Sequence, residues 1–313
     1  MTLSLPQRIS ICEVGPRDGL QNEAVQLSIA QKAELIGMAA AAGLRCIEIG
    51  SFVSAKAVPS MADTDEVARR IERREGVEYR VLVANLAGLK RCQTAGIDKA
   101  KLTVSSSETH SLKNLGRTPH KVMQDFADCA AFAREHHIAL AGAISTAFGC
   151  PYEGAVSIDR VRALIESFLA LGITELSLSD TTGVANPRQV YDYCTTLRAE
   201  YPTVQWTLHF HDTRGLGLAN VFAGLLAGVT HYDAAFAGLG GCPFAPGATG
   251  NIATEDLVHM AEALQIETGV ELAKVVGLGC RVQELVGRVT DSAMLRLAAA
   301  RASHATPDQQ QKG

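Results

Sequence analysis

Two hydrophobic rhythms alternate along the chain. Short apolar runs of five to eight residues are each followed by a longer stretch whose apolar positions recur every three or four residues. The short runs fall at 9–14, 46–50, 79–84, 101–105, 139–144, 175–179, 204–211 and 232–237. The helical stretches between them fall at 29–42, 64–74, 86–95, 119–136, 158–171, 187–200, 218–227 and 254–264. In one of these, Ile158, Val161, Leu164, Ile165 and Phe168 share a face, as a helix coating a sheet requires. Gly43, Gly96, Gly172 and Gly228 stand where helices should stop, and Pro119 and Pro187 where first turns tolerate proline.

Eight strand–helix units in this order predict an α/β fold, a closed (β/α)8 TIM barrel over about residues 9–267. A doubly wound open sheet is the alternative. Residues 271–303 read as additional C-terminal helices, so residues 1–303 form one expected domain. The polar stretch 304–313 is expected to be an unstructured tail.

Composition narrows the possible partners. A net charge of −4 argues against nucleic acid. The apolar run 33–44 is too short for a membrane span. Eight cysteines form no CxxC pair and fall mostly inside predicted elements, which suits reduced thiols. With too few residues before the first strand for a leader, the expected location is cytoplasmic.

A barrel works at the C-terminal ends of its strands, and polar residues collect there. Arg17 and Asp18 follow the first strand, Glu48 lies in the second, Asn85 ends the third, and 105–108 is Ser-Ser-Ser-Glu. Thr146, Asp180, then His209, His211 and Asp212 end the next three. The opposite ends are expected to hold few inward ionisable groups. Strand alternation places His209 and His211 on one face, where they can either close on one divalent ion or pair as core histidines. Together with Asp18 and Asn251 they make a mixed oxygen and nitrogen set that suits Mg2+ or Mn2+. The Arg17 fork suits a carbonyl or enolate oxygen, with Glu48 and Asp180 expected to aim it; a structural ion pair is the plainer alternative. The glycine-rich run 238–250 matches no phosphate loop and reads as a flap. Its Cys242 is a candidate proton donor, although most loop cysteines are inert.

The segments EVGPRDGLQNE (13–23), LSDTTG (178–183), HFHDT (209–213) and GLGGCPFAPGATGN (238–251) resemble the 3-hydroxy-3-methylglutaryl-CoA lyase family of metal-dependent barrel lyases. The resemblance implies retro-Claisen cleavage of an acyl-CoA to acetyl-CoA and acetoacetate. It implies Asp18, His209, His211 and Asn251 as metal ligands and Arg17 as the group that stabilises the enolate. Proton transfer would fall to Cys242 with His209, and Glu48, Asp180 and Glu255 would be supporting acids. A homodimer is also implied. The chain departs from the family pattern at Ala24, Ala143, Thr146, Arg214-Gly215-Leu216 and Gly287-Arg288-Val289. These departures leave citramalyl-CoA or a longer-branched 3-hydroxyglutaryl-CoA as alternative substrates. An aldolase, a synthase or a non-catalytic acyl-CoA-binding barrel are further alternatives.

Overall fold

The computed structural model describes residues 4–241 and 250–304. Eight parallel strands run β1 (Ser10–Glu13), β2 (Cys46–Phe52), β3 (Glu78–Val83), β4 (Lys99–Ser105), β5 (Ala139–Ser145), β6 (Glu175–Asp180), β7 (Gln205–Phe210) and β8 (His231–Ala234). They form a closed barrel in sequence order. Ser10 pairs with His231 and Glu13 with Ala234, so β8 returns to β1 and the open sheet is ruled out.

The helices are α1 (Ile29–Ala41), α2 (Thr64–Arg70), α3 (Leu86–Thr94), α4 (Glu108–Leu115), α5 (Pro119–Glu135), α6 (Ile158–Ala170), α7 (Pro187–Glu200), α8 (Gly217–Leu226), α9 (Thr254–Ala263), α10 (Leu272–Val286) and α11 (Ala293–His304). Local chemistry sets their starts. Ser28 and Gln31 form a reciprocal capping box on α1, and the Asn186 side chain caps α7 with Pro187 in its first turn. The expected glycine stops all lie at positive φ: 102° at Gly43, 65° at Gly96, 78° at Gly172 and 78° at Gly228. Helix α4 is an addition to the sequence reading. Its residues follow Ser107, whose side chain accepts from the His110 N–H and starts a helix where a polar strand end was expected.

Alternation divides the strand side chains. Ile11, Ile47, Val81, Leu102, Leu176, Leu208 and Tyr232 join the main core against the helices. The opposite, inward positions are polar to an unusual degree, and here one expectation is overturned. At the N-terminal floor, Lys99 Nζ lies 2.9 Å from Glu78 Oε2 and also contacts Glu175, while Arg80 Nη1 lies 2.9 Å from Glu175 Oε1. Charges therefore point inward at both ends, because Glu78, Lys99 and Glu175 occupy the first inward positions of β3, β4 and β6, and Arg80 the next one on β3, level with Lys99. One-sided polarity is no argument for catalysis in this barrel.

Helix α10 packs on α1 and α9, and α11 on α9 and α10. No described helix is long and apolar enough to cross a membrane.

Candidate active site

The site begins at the end of β1. Residues Gly15–Gly19 wind as one π-helical turn, with Gly19 N donating to Val14 O at 3.3 Å and Asp18 N to the same oxygen at 2.7 Å. This winding sets Arg17 and Asp18 side by side at the C-terminal mouth. Arg17 donates from Nη1 to Asp18 Oδ1 and from Nε to Glu48 Oε1 on β2. Glu48 is fully buried. Burial pushes its carboxyl up, and Arg17 and Lys101 outweigh that, so it is held below the usual range. Burial acts on Asp18 in the same direction, but Arg17 and the two imidazoles hold its carboxyl well below the usual range.

Strand β7 supplies the imidazoles. His209 is its penultimate residue, and His211 lies just past its end in a bridge to Asn251. The rings are 5.2 Å apart between centroids. His211 Nε2 is 3.5 Å and His209 Nε2 3.9 Å from Asp18 Oδ2. The three side chains offer ligand atoms within 4.8 Å of one another. Asn251 Nδ2 donates to Asp18 Oδ2 at 2.7 Å and to Leu239 O at 3.0 Å. Its Oδ1 is buried without a hydrogen-bond partner among the described residues. An amide oxygen left over beside a carboxylate and two imidazoles fits a divalent cation that takes oxygen and nitrogen donors.

The expected roles divide when placed in space. Arg17, Asp18, Glu48, His209, His211 and Asn251 come together. Asp180 does not aim Arg17, and that expectation is corrected. Its carboxylate accepts from Val184 N at 2.8 Å and Ala185 N at 2.9 Å, and its carbonyl accepts from His211 N at 3.3 Å. Two local N–H groups meet it first, so it ties down the loop behind His211 instead. Asn85 and Ser107 serve as caps of α3 and α4. Cys242 lies outside the described residues.

Further charged groups support the site; of these Glu255 was expected as a supporting acid, while Asp233 and Glu13 were not singled out in the sequence. Asp233 on β8 has Oδ2 3.3 Å from His209 Nδ1 and 2.9 Å from Lys101 Nζ. Glu13 accepts from Gly15 N at 2.7 Å, Phe236 N at 2.9 Å and the Thr254 hydroxyl at 2.8 Å. It thus joins the first-strand turn to the turn after β8, and burial pushes its carboxyl up to about 8. Glu255 accepts from Ala237 N at 3.1 Å, and burial pushes it up to about 7. The signal in each case was a charge inside an apolar strand or helix start, as in Lys-Ala-Lys at 99–101.

A closed (β/α)8 barrel with a guanidinium, a carboxylate and two imidazoles converging at its C-terminal mouth has the form of a barrel enzyme. The HMGL-like family model matches residues 8–282, and the chain belongs to that family. It is 42% identical over 292 residues to the hydroxymethylglutaryl-CoA lyase YngG of Bacillus subtilis, covering 93% of this chain and 98% of that one. It is 39% identical to a 3-hydroxy-3-isohexenylglutaryl-CoA/hydroxymethylglutaryl-CoA lyase of Pseudomonas aeruginosa, covering 93% and 97%. A solved HMG-CoA lyase of Acinetobacter baumannii, in complex with coenzyme A and 3-methylmalate, superposes with a TM-score of 0.90 at 40% identity, covering 95% and 96%.

Proposed function

We propose that the chain is a divalent-metal-dependent carbon–carbon lyase that cleaves 3-hydroxy-3-methylglutaryl-CoA to acetyl-CoA and acetoacetate. The observation that carries this reading is the convergence of Asp18, His209 and His211 within 4.8 Å, next to Arg17 and beside the Asn251 Oδ1, which has no hydrogen-bond partner among the described residues. Asp18, His209, His211 and Asn251 would hold the ion, and the donor set supports Mg2+ or Mn2+. When bound, the ion supplies Lewis-acid charge at the substrate's 3-hydroxyl.

The remaining steps belong to the chain. Asp18 or a water takes the hydroxyl proton. The C2–C3 bond breaks, its electron pair passes to the thioester fragment, and the 3-carbon becomes the ketone of acetoacetate. Arg17, with Nε and Nη1 taken by Glu48 and Asp18, presents the rest of its fork to the enolate oxygen. A proton returned to the enolate carbon completes acetyl-CoA. Cys242 with His209 is the donor that the resemblance supports.

A second reading, the same cleavage of a longer-branched 3-hydroxyglutaryl-CoA, is favoured by the small inward residues Ala143, Ser177 and Thr207, which are register neighbours on β5, β6 and β7. The Pseudomonas relative carries such a substrate in its name. A homodimer, supported by the resemblance, and a cytoplasmic location, supported by eight cysteines without a CxxC pair, complete the reading. A single unit of residues 1–303 is supported by the packing of α10 and α11 on the barrel. A panel of 3-hydroxyacyl-CoA thioesters with mass detection of both products tests the function. Acetyl-CoA with acetoacetate is expected, and its absence from every thioester would refute lyase activity.

A further inference from the structure

Lys101 sits midway along β4 with only 3% of its surface exposed, inside the barrel. Its Nζ lies 2.9 Å from Asp233 Oδ2 and 3.3 Å from Glu48 Oε2. Each carboxylate leads on to one arm of the site. Asp233 Oδ2 is also 3.3 Å from His209 Nδ1, and Glu48 Oε1 accepts from Arg17 Nε. A lysine at such a position is costly to bury, and barrel interiors are usually filled with branched apolar side chains. Without it, two buried carboxylates would face each other, and Asp233 already pushes the Glu48 carboxyl up. Burial works against the Lys101 charge, but Asp233 and Glu48 outweigh it and hold the ammonium protonated.

We propose that Lys101 is a positioning residue of the lyase reaction, one ammonium fixing Asp233 against His209 and Glu48 against Arg17 so that both arms are aimed together. The inference rests on the lyase reading given above. With Asp233 held in place, the His209 Nδ1–H donates to it, and the Nε2 lone pair is kept for the side where Asp18 stands. With Glu48 held in place, the Arg17 fork keeps one orientation. The same strand carries an internal control. Lys99, two residues earlier, is also inward and ion-paired, but its partners Glu78 and Glu175 lie at the floor.

The test compares Lys101→Met with Lys99→Met in the full chain, measuring kcat, KM, melting temperature and the affinity for Mn2+ by titration without substrate. Lys101→Met is expected to lose about 10–100-fold in kcat with little change in KM, and to bind Mn2+ more weakly. Lys99→Met is expected to lower the melting temperature and leave kcat and Mn2+ affinity near those of the unsubstituted protein. Lys101→Gln, which keeps a shorter donor, carries the same expectation and serves if the Met variant does not fold. Unchanged kcat and Mn2+ affinity in the Lys101 variants would reduce the residue to packing and overturn the proposal. Were the unsubstituted protein inactive on every thioester, the lyase reading would fall, and the Mn2+ titration alone would still decide the role of Lys101.

Discussion

Asn251 donates its Nδ2 to Asp18 Oδ2 at 2.7 Å, joining the residue that follows the glycine-rich run to the turn after the first strand. Asp18 therefore meets one arginine, two imidazoles and one amide from opposite ends of the chain. The contact depends on close backbone approach. Gly240 lies at φ 110°, and a Cβ there would collide with Asn251 Nδ2 and stand 3.1 Å from the Asp18 carbonyl oxygen.

Gly240→Ala is accordingly expected to cost at least about 1–3 kcal/mol of stability from its left-handed backbone alone. It should also weaken Mn2+ binding by separating Asn251 from Asp18. Chemical unfolding together with Mn2+ titration checks this. An alanine variant with native stability and native affinity would show that the approach at Gly240 is not needed.

Arg17→Met is expected to keep the fold, because Lys101 still faces the Glu48 carboxylate. Its kcat should fall by about 10³-fold while KM changes little, the pattern of an interaction made mainly in the transition state. Steady-state kinetics beside a melting curve separates this from misfolding. Turnover close to that of the unsubstituted protein would remove Arg17 from the mechanism.

Glu13 gives a pH dependence of stability with a definite sign. Its carboxyl is pushed up from an ordinary 4.5 to about 8 in the folded protein. The folded state therefore binds the proton more tightly than the unfolded chain. The resulting stabilisation is fully present below pH 4.5 and is lost as pH rises through about 8. Glu255 adds a similar loss that ends near 7. Glu13→Gln imitates the protonated form, keeping an acceptor for Gly15 and Phe236 and a group to meet Thr254. Urea midpoints between pH 5 and pH 9 should fall for the unsubstituted protein and fall less for the variant, most visibly above 7. Parallel curves would contradict the assignment.

The fold was legible because the two rhythms of hydrophobicity are periodic and four glycines mark helix stops. Arg17, Asp18, His209 and His211 were legible because polar residues cluster where strands end. What stayed hidden was the inside of the barrel. Lys101 and Asp233 sit in strands that read as apolar runs, since outward positions such as Leu102 and Tyr232 dominate the pattern. Of the floor charges, Glu175 was missed for the same reason, while Glu78 and Lys99 were missed because β3 and β4 begin before their apolar runs at 79 and 101. Asp180 was misassigned because adjacency to a strand end does not reveal which N–H groups the following loop will present. Helix α4 was overlooked because its serine cap resembled a polar strand end.

Asp18, His209, His211 and Asn251 are expected to close on a single cation at one mouth of the barrel. Calorimetric titration of chelator-treated protein with Mn2+ measures this directly. One ion per chain is expected, with affinity lost in Asp18→Ala and in His211→Ala while circular dichroism stays that of the folded protein. An ion bound equally well by both folded variants, or no ion bound by the unsubstituted chain, would contradict the account.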